Sequence, residues 1–348
     1  MSIKVGINGF GRIARTVIRT IAKNNDEDID IVAINQRNAE IEKMAYMLEY
    51  DSVFGRFEGK IEVKDYGLCV NDHRIYVNSH DNLDEIDWSS TGAEYIIEST
   101  GAFRTMADCR KHIDIGGAKK VILSAPGKDD GFPTFVCGVN LDAYDPDMEV
   151  VSNASCTTNC LAPLVKVIND KFGIKEGLMS TIHASTSKQK PVDSNGGRDW
   201  RTGRSVFNNI IPSSTGAAKA VGLVIPEMKG KLTGMSFRVP CNDCSVVDLT
   251  CKLNTKTTYD EICAAIEAAA DMEMTGIIEY NTDELVSTDI RGNYHTCVFD
   301  KKAGIMLGDD FVKLIAWYDN EWGYSAKIVS LIKHMAYVDA AAAILRGK

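Results

Sequence analysis

The sequence lacks an excess of positive charge. It contains 39 lysine and arginine residues against 48 aspartate and glutamate residues, which gives a formal net charge of −9 at pH 7. A chain with this balance has no general electrostatic attraction to nucleic acids or anionic lipid surfaces, so we expect no dedicated nucleic-acid site. An anionic substrate would need a local set of hydrogen-bond donors or cations.

Long apolar runs and a secretory signal are also lacking. No apolar run approaches the roughly 20 residues of a membrane span, and the first eight residues pass directly into a strand-like segment. We therefore expect a cytoplasmic protein with no membrane partner. The length of 348 residues, with 45% hydrophobic and 25% charged residues, is typical of a globular chain with two domains.

The ten cysteines lack the paired spacing of a zinc site. Cys241 and Cys244 form one C-x-x-C pair without a second pair, and Cys156 and Cys160 lie only one helical turn apart. Most of the others lie in apolar or strand-like segments, where cysteine is a small buried hydrophobic residue in a reducing compartment. The sequence thus predicts no metal site.

The two halves of the chain differ in their hydrophobic periodicity. The first half alternates short apolar runs, at 3–8, 30–35, 95–99 and 120–125, with helical patterns such as 12–23. This alternation is typical of a parallel sheet with helices on both faces. The second half has longer strand-like runs at 178–186, 231–240, 245–253 and 312–318. It also has a capping box, Thr258-x-x-Glu261, that opens a helix through Ala270, and a helical pattern over 325–344. We predict an α/β protein.

A glycine-rich turn joins the first strand to the first helix. Gly9, Gly11 and Ala14 fit the pattern G-x-G-x-x-A. The glycines let the backbone approach a pyrophosphate at the helix N-terminus, so the strand–turn–helix context predicts a dinucleotide site. A plain tight turn is the alternative.

The acidic residue that normally follows the second strand of such a unit is absent. A carboxylate there would bind the ribose hydroxyls and repel a 2′-phosphate. The strand ends instead at Asn35-Gln36-Arg37. Gln36 does not repel a 2′-phosphate and Arg37 could pair with it, although a solvent-facing arginine explains position 37 equally well. The hypothesis is that the protein accepts NADP as well as NAD.

The segment 152–160, SNASCTTNC, lies between a strand-like run and a helical one at 161–168. Cys156 therefore lies at or near a helix N-terminus, where the helix dipole favours an anion, and we expect a reactive thiol that ionises easily. A nucleophilic thiol needs a proton partner. Among the six histidines, His183 ends a strand-like run and is the candidate. A purely structural strand histidine is the alternative.

Six segments resemble, in the same order, those of phosphorylating glyceraldehyde-3-phosphate dehydrogenases. They are GINGFGRI at 6–13, SNASCTTNCL at 152–161, TIHA at 181–184, IPSSTGAAK at 211–219, FRVP at 237–240 and WYDNEWGYS at 317–325. The resemblance extends over essentially the whole chain. It implies a Rossmann-type doubly wound parallel sheet in a dinucleotide-binding domain, 1–155 and 322–348. It also implies an α+β catalytic domain, 156–321, with a mostly antiparallel sheet, and a homotetramer.

The resemblance also implies a reaction and its residues. Cys156 is then the nucleophile that attacks glyceraldehyde 3-phosphate, and His183 is the base. The thiohemiacetal is oxidised by NAD, or also NADP, to a thioester, which inorganic phosphate cleaves to 1,3-bisphosphoglycerate. Thr186 and Arg238 match the site of the substrate phosphate. The residues that match the attacking-phosphate site are Ser155, Thr157, Thr215 and Gly216. The implied cofactor residues are Gly9, Phe10, Gly11, Arg12, Ile13, Gln36, Arg37, Ser124, Asn320 and Tyr324.

Departures from the family pattern concentrate on cofactor choice. Gln36 stands where NAD-specific members carry aspartate, and Ser194-Asn195 replaces their Leu-Pro pair, while Lys188 adds a positive charge to the same long loop. Three alternatives remain. An erythrose-4-phosphate dehydrogenase belongs to the same family. An aspartate-semialdehyde dehydrogenase lacks the 317–325 segment. A catalytically idle NAD-binding scaffold is disfavoured by the intact set of Cys156, His183 and Arg238.

Overall fold

The computed structural model describes residues 2–197 and 199–347, and the chain forms two compact units. The first unit comprises Met1–Phe135, Asn140–Ala154 and Ser325–Lys348, and the second comprises Val136–Val139 and Ser155–Tyr324. The first contains a mostly parallel sheet and the second a mostly antiparallel one. The predicted α/β class is therefore confirmed.

An eight-stranded sheet forms the centre of the first unit. The helices and strands are β1 (Ile3–Asn8), α1 (Arg12–Lys23), β2 (Ile29–Asn35), α2 (Ile41–Glu49), β3 (Tyr50–Asp51), β4 (Gly55–Arg56), β5 (Ile61–Lys64), β6 (Gly67–Val70), β7 (His73–Asn78), β8 (Tyr95–Glu98), α3 (Met106–Asp114), β9 (Lys120–Leu123) and β10 (Val150–Ser152). The strand order is β10-β9-β8-β1-β2-β7-β6-β5, and β3 pairs separately with β4.

The strands from β10 to β7 are parallel, and β6 and β5 extend the sheet in antiparallel fashion. Every residue of β8 and β9 is buried, as expected for a parallel sheet covered on both faces. The strand order reverses at β1, which pairs with β2 on one side and β8 on the other. Ligands of such sheets bind at the carboxyl ends of the strands at this switch point.

The second unit has its own sheet and helices. They are α4 (Cys156–Phe172), β11 (Ile174–His183), β12 (Ile211–Ser214), α5 (Ala217–Val224), β13 (Leu232–Arg238), β14 (Ser245–Leu253), α6 (Tyr259–Asp271), β15 (Ile278–Asn281), β16 (Cys297–Asp300), β17 (Ile305–Leu307), β18 (Phe311–Tyr318) and the start of α7 (Trp322–Leu345). The strand order is β12-β13-β11-β14-β18-β16-β15, with β17 on β18.

Burial along these elements explains how they pack. Burial in β14 alternates strictly, which is typical of an antiparallel strand with one covered face. Helix α4 is buried at nearly every position from Thr157 to Ile168 and packs against α5, α6 and β18. The capping box of Thr258 and Glu261 is present at the start of α6, which confirms that prediction.

Two predicted boundaries in this half are wrong. The strand predicted over 178–186 spans Ile174–His183, because beyond it the backbone N–H of Ser185 bonds instead to the carbonyl of Cys241. The helix predicted from residue 325 begins at Trp322. Its start is fixed by the Asp319 carboxylate, which accepts the backbone N–H groups of Glu321 and Trp322.

Helix α7 also differs from the expectation that no apolar run is long enough for a membrane. By length and composition alone it could cross a bilayer, which is weak information because the core helix of a globular protein passes the same test. Two polar side chains in the part of α7 that belongs to the first unit have partners within that unit. Asp339 accepts hydrogen bonds from the hydroxyls of Tyr95 and Tyr144, and Lys333 pairs with Asp26.

Candidate active site

The predicted nucleophile lies at the first position of a helix. Ser155 is the N-cap of α4, and its hydroxyl accepts the backbone N–H of Thr158 at 3.1 Å. Cys156 follows directly and is partly exposed. The prediction that Cys156 lies at a helix N-terminus is confirmed, and the unpaired N–H groups there favour negative charge beside the thiol.

The structure brings His183 and Arg238 to this thiol. Strands β11 and β13 are parallel neighbours, and their register pairs His183 with Arg238 at the carboxyl end of both strands. The Nε2 atom of His183 lies 3.5 Å from the Sγ atom of Cys156. The thiol therefore has a potential proton acceptor within hydrogen-bond reach.

The other ring nitrogen of His183 has two neighbours that require opposite tautomers. Its Nδ1 atom lies 2.8 Å from the carbonyl oxygen of Ala184 and 2.6 Å from the Nη1 atom of Arg238. A carbonyl accepts a proton and a guanidinium only donates. Bonding to Ala184 leaves Nε2 free to accept the thiol proton, whereas bonding to Arg238 places the proton on Nε2. The position of the guanidinium therefore determines which tautomer faces Cys156.

Burial is the largest influence on the pKa values of Cys156 and His183. It raises the pKa of the Cys156 thiol to about 11, although the charge of Arg238 and hydrogen bonds from Thr157 act in the opposite direction. The helix N-terminus is expected to lower this pKa, but desolvation has the larger effect and acts in the opposite direction. Burial, followed by the nearby charge of Arg238, lowers the pKa of His183 to about 3, so this imidazole is neutral and can accept a proton.

A tyrosine hydroxyl that was not predicted from the sequence links β18 and β11 to α4. The hydroxyl of Tyr318 lies 2.8 Å from both Thr157 Oγ1 and Thr181 Oγ1, and the edge of its ring packs against His183. The side chain of Thr157 is buried in this contact. Tyr318 ends the apolar run 312–318 and lies in the segment 317–325, but neither pattern singles out its hydroxyl.

Most of the predicted phosphate-binding residues lie at the N-termini of two neighbouring helices. The hydroxyl of Thr158 in α4 lies 3.5 Å from the carbonyl oxygen of Ala217, the first residue of α5. Gly216 is the N-cap of α5 and has no side chain to cap it, while the Thr215 hydroxyl accepts the N–H of Ala217. Thr186 lies elsewhere, on the exposed loop after β11, where it bonds to Gln189.

Asn320 is held in a fixed orientation. Its Oδ1 atom accepts a hydrogen bond from the Ser245 hydroxyl at 2.5 Å, and that hydroxyl accepts the N–H of Ala184 at 3.0 Å. The amide nitrogen of Asn320 is thereby set as a donor away from Ser245. Ser245 could not be identified from the sequence, because a serine at the start of a strand carries no distinctive pattern. Tyr324 is buried in the first turn of α7.

In the first unit, the glycine-rich turn lines a cavity of about 330 Å³ at the switch point of the sheet. Gly9 has φ +91°, and a Cβ atom there would approach Thr100 to 2.9 Å, so only glycine fits this turn. Gly11 is the N-cap of α1, and no side chain caps that helix. The turn therefore fits a pyrophosphate approaching the backbone.

The remaining predicted cofactor residues divide into two groups. Gln36 and Arg37 line the same cavity with Phe10, whose backbone N–H donates to the Gln36 Oε1 atom at 2.7 Å. Arg37 is exposed, and its Nε atom lies 3.9 Å from the Asp81 carboxylate. Arg12, Ile13 and Ser124 are not part of the cavity wall. The guanidinium of Arg12 instead pairs with the carboxylate of Asp51.

Comparison with known proteins agrees with this arrangement. The model of the NAD-binding domain of glyceraldehyde 3-phosphate dehydrogenase matches residues 3–106, and the model of its C-terminal domain matches residues 155–320. A cytosolic glyceraldehyde-3-phosphate dehydrogenase of Gracilaria gracilis is 56% identical over 96% of this chain and 98% of its own length. A glyceraldehyde-3-phosphate dehydrogenase of Omphalotus olearius is 56% identical over 97% of this chain and 99% of its own length. The chain belongs to the glyceraldehyde-3-phosphate dehydrogenase family.

Proposed function

We propose that the protein oxidises D-glyceraldehyde 3-phosphate in the presence of inorganic phosphate, with reduction of NAD, to give 1,3-bisphosphoglycerate. The observation that carries the proposal is the pairing of Cys156 at a helix N-terminus with a neutral His183, 3.5 Å away, in a chain of this family. A thiol with a base at this distance is suited to covalent catalysis on an aldehyde.

The side chains of the second unit supply the chemistry. Cys156 Sγ attacks the aldehyde carbon as His183 takes the thiol proton, and this proton then passes to the former carbonyl oxygen to give the hydroxyl of a thiohemiacetal. His183 takes the proton of that hydroxyl as the hydride leaves the same carbon, which gives a thioester. NAD supplies the hydride acceptor. An oxygen of inorganic phosphate then attacks the thioester carbon, the C–S bond breaks, and the sulfur of Cys156 leaves as the acyl phosphate forms.

Donors near Cys156 support binding of the two phosphates. We assign the phosphate of the substrate to Arg238 and Thr186, because a guanidinium is the side chain best matched to a phosphate. We assign the attacking phosphate to Ser155, Thr157, Thr215 and Gly216, of which Thr157 would act through its backbone N–H, since its hydroxyl bonds to Tyr318. Withdrawal of the guanidinium toward a phosphate would also release Nδ1 of His183 to Ala184, which is the tautomer needed for a base.

The cofactor assignment rests on the first unit. Residues Gly9, Phe10, Gly11, Gln36 and Arg37 line one cavity at the carboxyl ends of β1 and β2, which is where dinucleotides bind such sheets. We place the dinucleotide-binding domain at 1–155 and 322–348 and the catalytic domain at 156–321. Asn320 is assigned to the nicotinamide amide because Ser245 fixes its orientation. Arg12, Ile13, Ser124 and Tyr324 remain secondary candidates.

Initial rates with and without inorganic phosphate test this function. We expect reduction of NAD by glyceraldehyde 3-phosphate to continue for many turnovers only when phosphate is present, with an acyl phosphate as product. Faster oxidation of erythrose 4-phosphate without an acyl phosphate would favour the alternative enzyme of the same family. NAD binding without any turnover on either aldehyde would identify an idle scaffold.

Dual cofactor use is a separate prediction. We expect kcat/KM with NADP to lie within about a thousandfold, or about 4 kcal/mol, of that with NAD, because no carboxylate follows β2. Changing Gln36→Asp should then lower kcat/KM for NADP by at least about 100-fold, since a carboxylate repels a 2′-phosphate. Gln36→Asn is the matched control, because it shortens the side chain equally without adding charge. If kcat/KM with NAD exceeds kcat/KM with NADP by more than about a thousandfold in the unmodified enzyme, dual cofactor use is contradicted.

We infer the subunit number and the cellular compartment of the protein from its family. Exposed apolar side chains on the long loop after β11 and just beyond it, among them Trp200, Phe207 and Ile210, support burial against other subunits in a homotetramer. Relatives from Gracilaria gracilis and Chondrus crispus are named cytosolic, which supports a cytoplasmic location. Light scattering during size-exclusion chromatography would measure the subunit number directly.

A further inference from the structure

A second cluster of reactive side chains lies in the second unit and takes no part in the proposed reaction. Asp243, Cys244 and Asp319 each contribute one ligand atom, and these three atoms all lie within 4.8 Å of one another. The three side chains are 1%, 3% and 1% exposed, respectively. Two acids and a thiol buried together need either a shared proton or a cation to offset their repulsion.

One member of this cluster is already held as an oxygen ligand. The Asp319 carboxylate accepts three backbone N–H groups: those of Gly292 at 2.7 Å, Glu321 at 2.9 Å and Trp322 at 2.6 Å. Three such bonds stabilise the charged form and prevent the carboxylate from rotating. The cluster therefore has one carboxyl group whose oxygens are held in a fixed orientation.

The second member, Asp243, lacks a satisfactory partner. Neither of its carboxylate oxygens accepts a hydrogen bond from a group outside the cluster among the described residues, although the side chain is almost completely buried; the groups within hydrogen-bond range are Asp319 and Cys244. The groups that lie near it are the acids Asp319 and Glu321 and the thiol of Cys244. Buried polar atoms are normally paired, and an unpaired one indicates an unseen ligand such as an ion.

We propose that Asp243, Cys244 and Asp319 bind one zinc ion. A thiolate sulfur combined with two carboxylate oxygens suits zinc, whereas calcium and magnesium prefer sites built from oxygen alone. Three protein ligands leave a fourth tetrahedral position for water or for the nearby Glu321. The site uses Cys244 but not Cys241, so it differs from a C-x-x-C metal site, and the sequence predicted no metal site.

A shared proton is the competing occupant. A proton held between the buried carboxyl groups of Asp243 and Asp319 would offset their repulsion without a metal. Zinc binding must therefore displace protons from Asp243 and from Cys244. The two occupants predict different results when a metal is titrated into the protein.

Cobalt titration of the full chain in a Cys156→Ser background tests the proposal, because this background removes the partly exposed Cys156 thiol, which together with His183 could bind cobalt at the active site. We expect one Co²⁺ per chain, with the thiolate-to-cobalt absorption of a tetrahedral site, and displacement by one equivalent of Zn²⁺. Adding Cys244→Ser should abolish that absorption. Adding Asp243→Asn should weaken Zn²⁺ binding, measured by competition with a chromogenic chelator, by more than about 100-fold.

Cys241→Ser is the matched control, because Cys241 lies three residues from Cys244 and outside the cluster. We expect it to leave the absorption and the affinity unchanged. The Cys156→Ser parent still contains the intact cluster. If it shows no thiolate-to-cobalt absorption, the proposal is overturned. Equal metal binding in the Asp243→Asn and parent chains, with circular dichroism showing both folded, would overturn it as well and leave the shared proton as the occupant.

Discussion

Replacing Cys156 by serine is expected to lower kcat by at least about 10,000-fold while NAD binding stays unchanged. A hydroxyl is far less acidic than a thiol, and the neutral His183 cannot compensate for that difference. The fold should tolerate the change, because α4 is capped by the Ser155 hydroxyl and not by the thiol. Steady-state rates and a calorimetric titration with NAD would measure both quantities.

Cys160→Ser is the matched control for that substitution. Cys160 lies one turn further along α4, is completely buried, and has its Sγ atom 3.8 Å from the carbonyl oxygen of Ala316. We expect this change to lower the free energy of unfolding by about 1–3 kcal/mol and to leave kcat within severalfold. Near-normal turnover in Cys156→Ser, or a comparable loss of kcat in Cys160→Ser, would contradict the assignment of the nucleophile.

The parts of the site that depend on local sequence could be predicted. Cys156 at the start of a helix follows from a strand-like run before it and an apolar helical pattern after it. The turn at Gly9 and Gly11 follows in the same way from a strand, two glycines and a helix. Each of these features requires only neighbouring residues, so hydrophobic periodicity and the glycine pattern were sufficient.

The parts that depend on strand register could not be predicted from spacing. His183 and Arg238 are neighbours only because β11 pairs with β13 in a register that aligns their last residues. The contacts of Tyr318 with Thr157 and Thr181 span 161 and 137 residues of sequence, respectively. The motifs named His183 and Arg238 through family resemblance, but Tyr318 and Ser245 became visible only once the sheet had placed them.

The thiol shows a further limit of sequence analysis. A helix N-terminus is a local feature, and it correctly indicates an environment that favours an anion. Desolvation depends on every segment packed around the site. It raises the pKa of Cys156, which is opposite to the effect of the helix N-terminus. The charge state of a side chain is therefore a property of the tertiary structure, even where its position in a helix is not.

Replacing His183 by asparagine is expected to lower kcat by about 100- to 10,000-fold, the usual contribution of a general base. Asparagine cannot accept the proton of the thiohemiacetal hydroxyl, and it does not reach Sγ of Cys156 as the imidazole does. Rapid-mixing measurements of the first turnover should show the loss in the hydride-transfer step. His295→Asn, in the same unit but paired with Glu279, is the matched control and should retain its activity.

His183→Asn should also change how the free energy of unfolding depends on pH, which replacement of a histidine at the surface would not do. Burial lowers the pKa of His183 to about 3 from 6.5, so below pH 6.5 the unfolded chain binds a proton that the folded chain does not. This site therefore lowers stability as pH falls from 6.5 toward 3, by up to about 1.4 kcal/mol per pH unit. His183→Asn removes that contribution, so its denaturant-induced unfolding should depend less steeply on pH between 6.5 and 5. An unchanged slope together with a small loss of kcat would show that His183 is neither buried as the neutral base nor required for proton transfer.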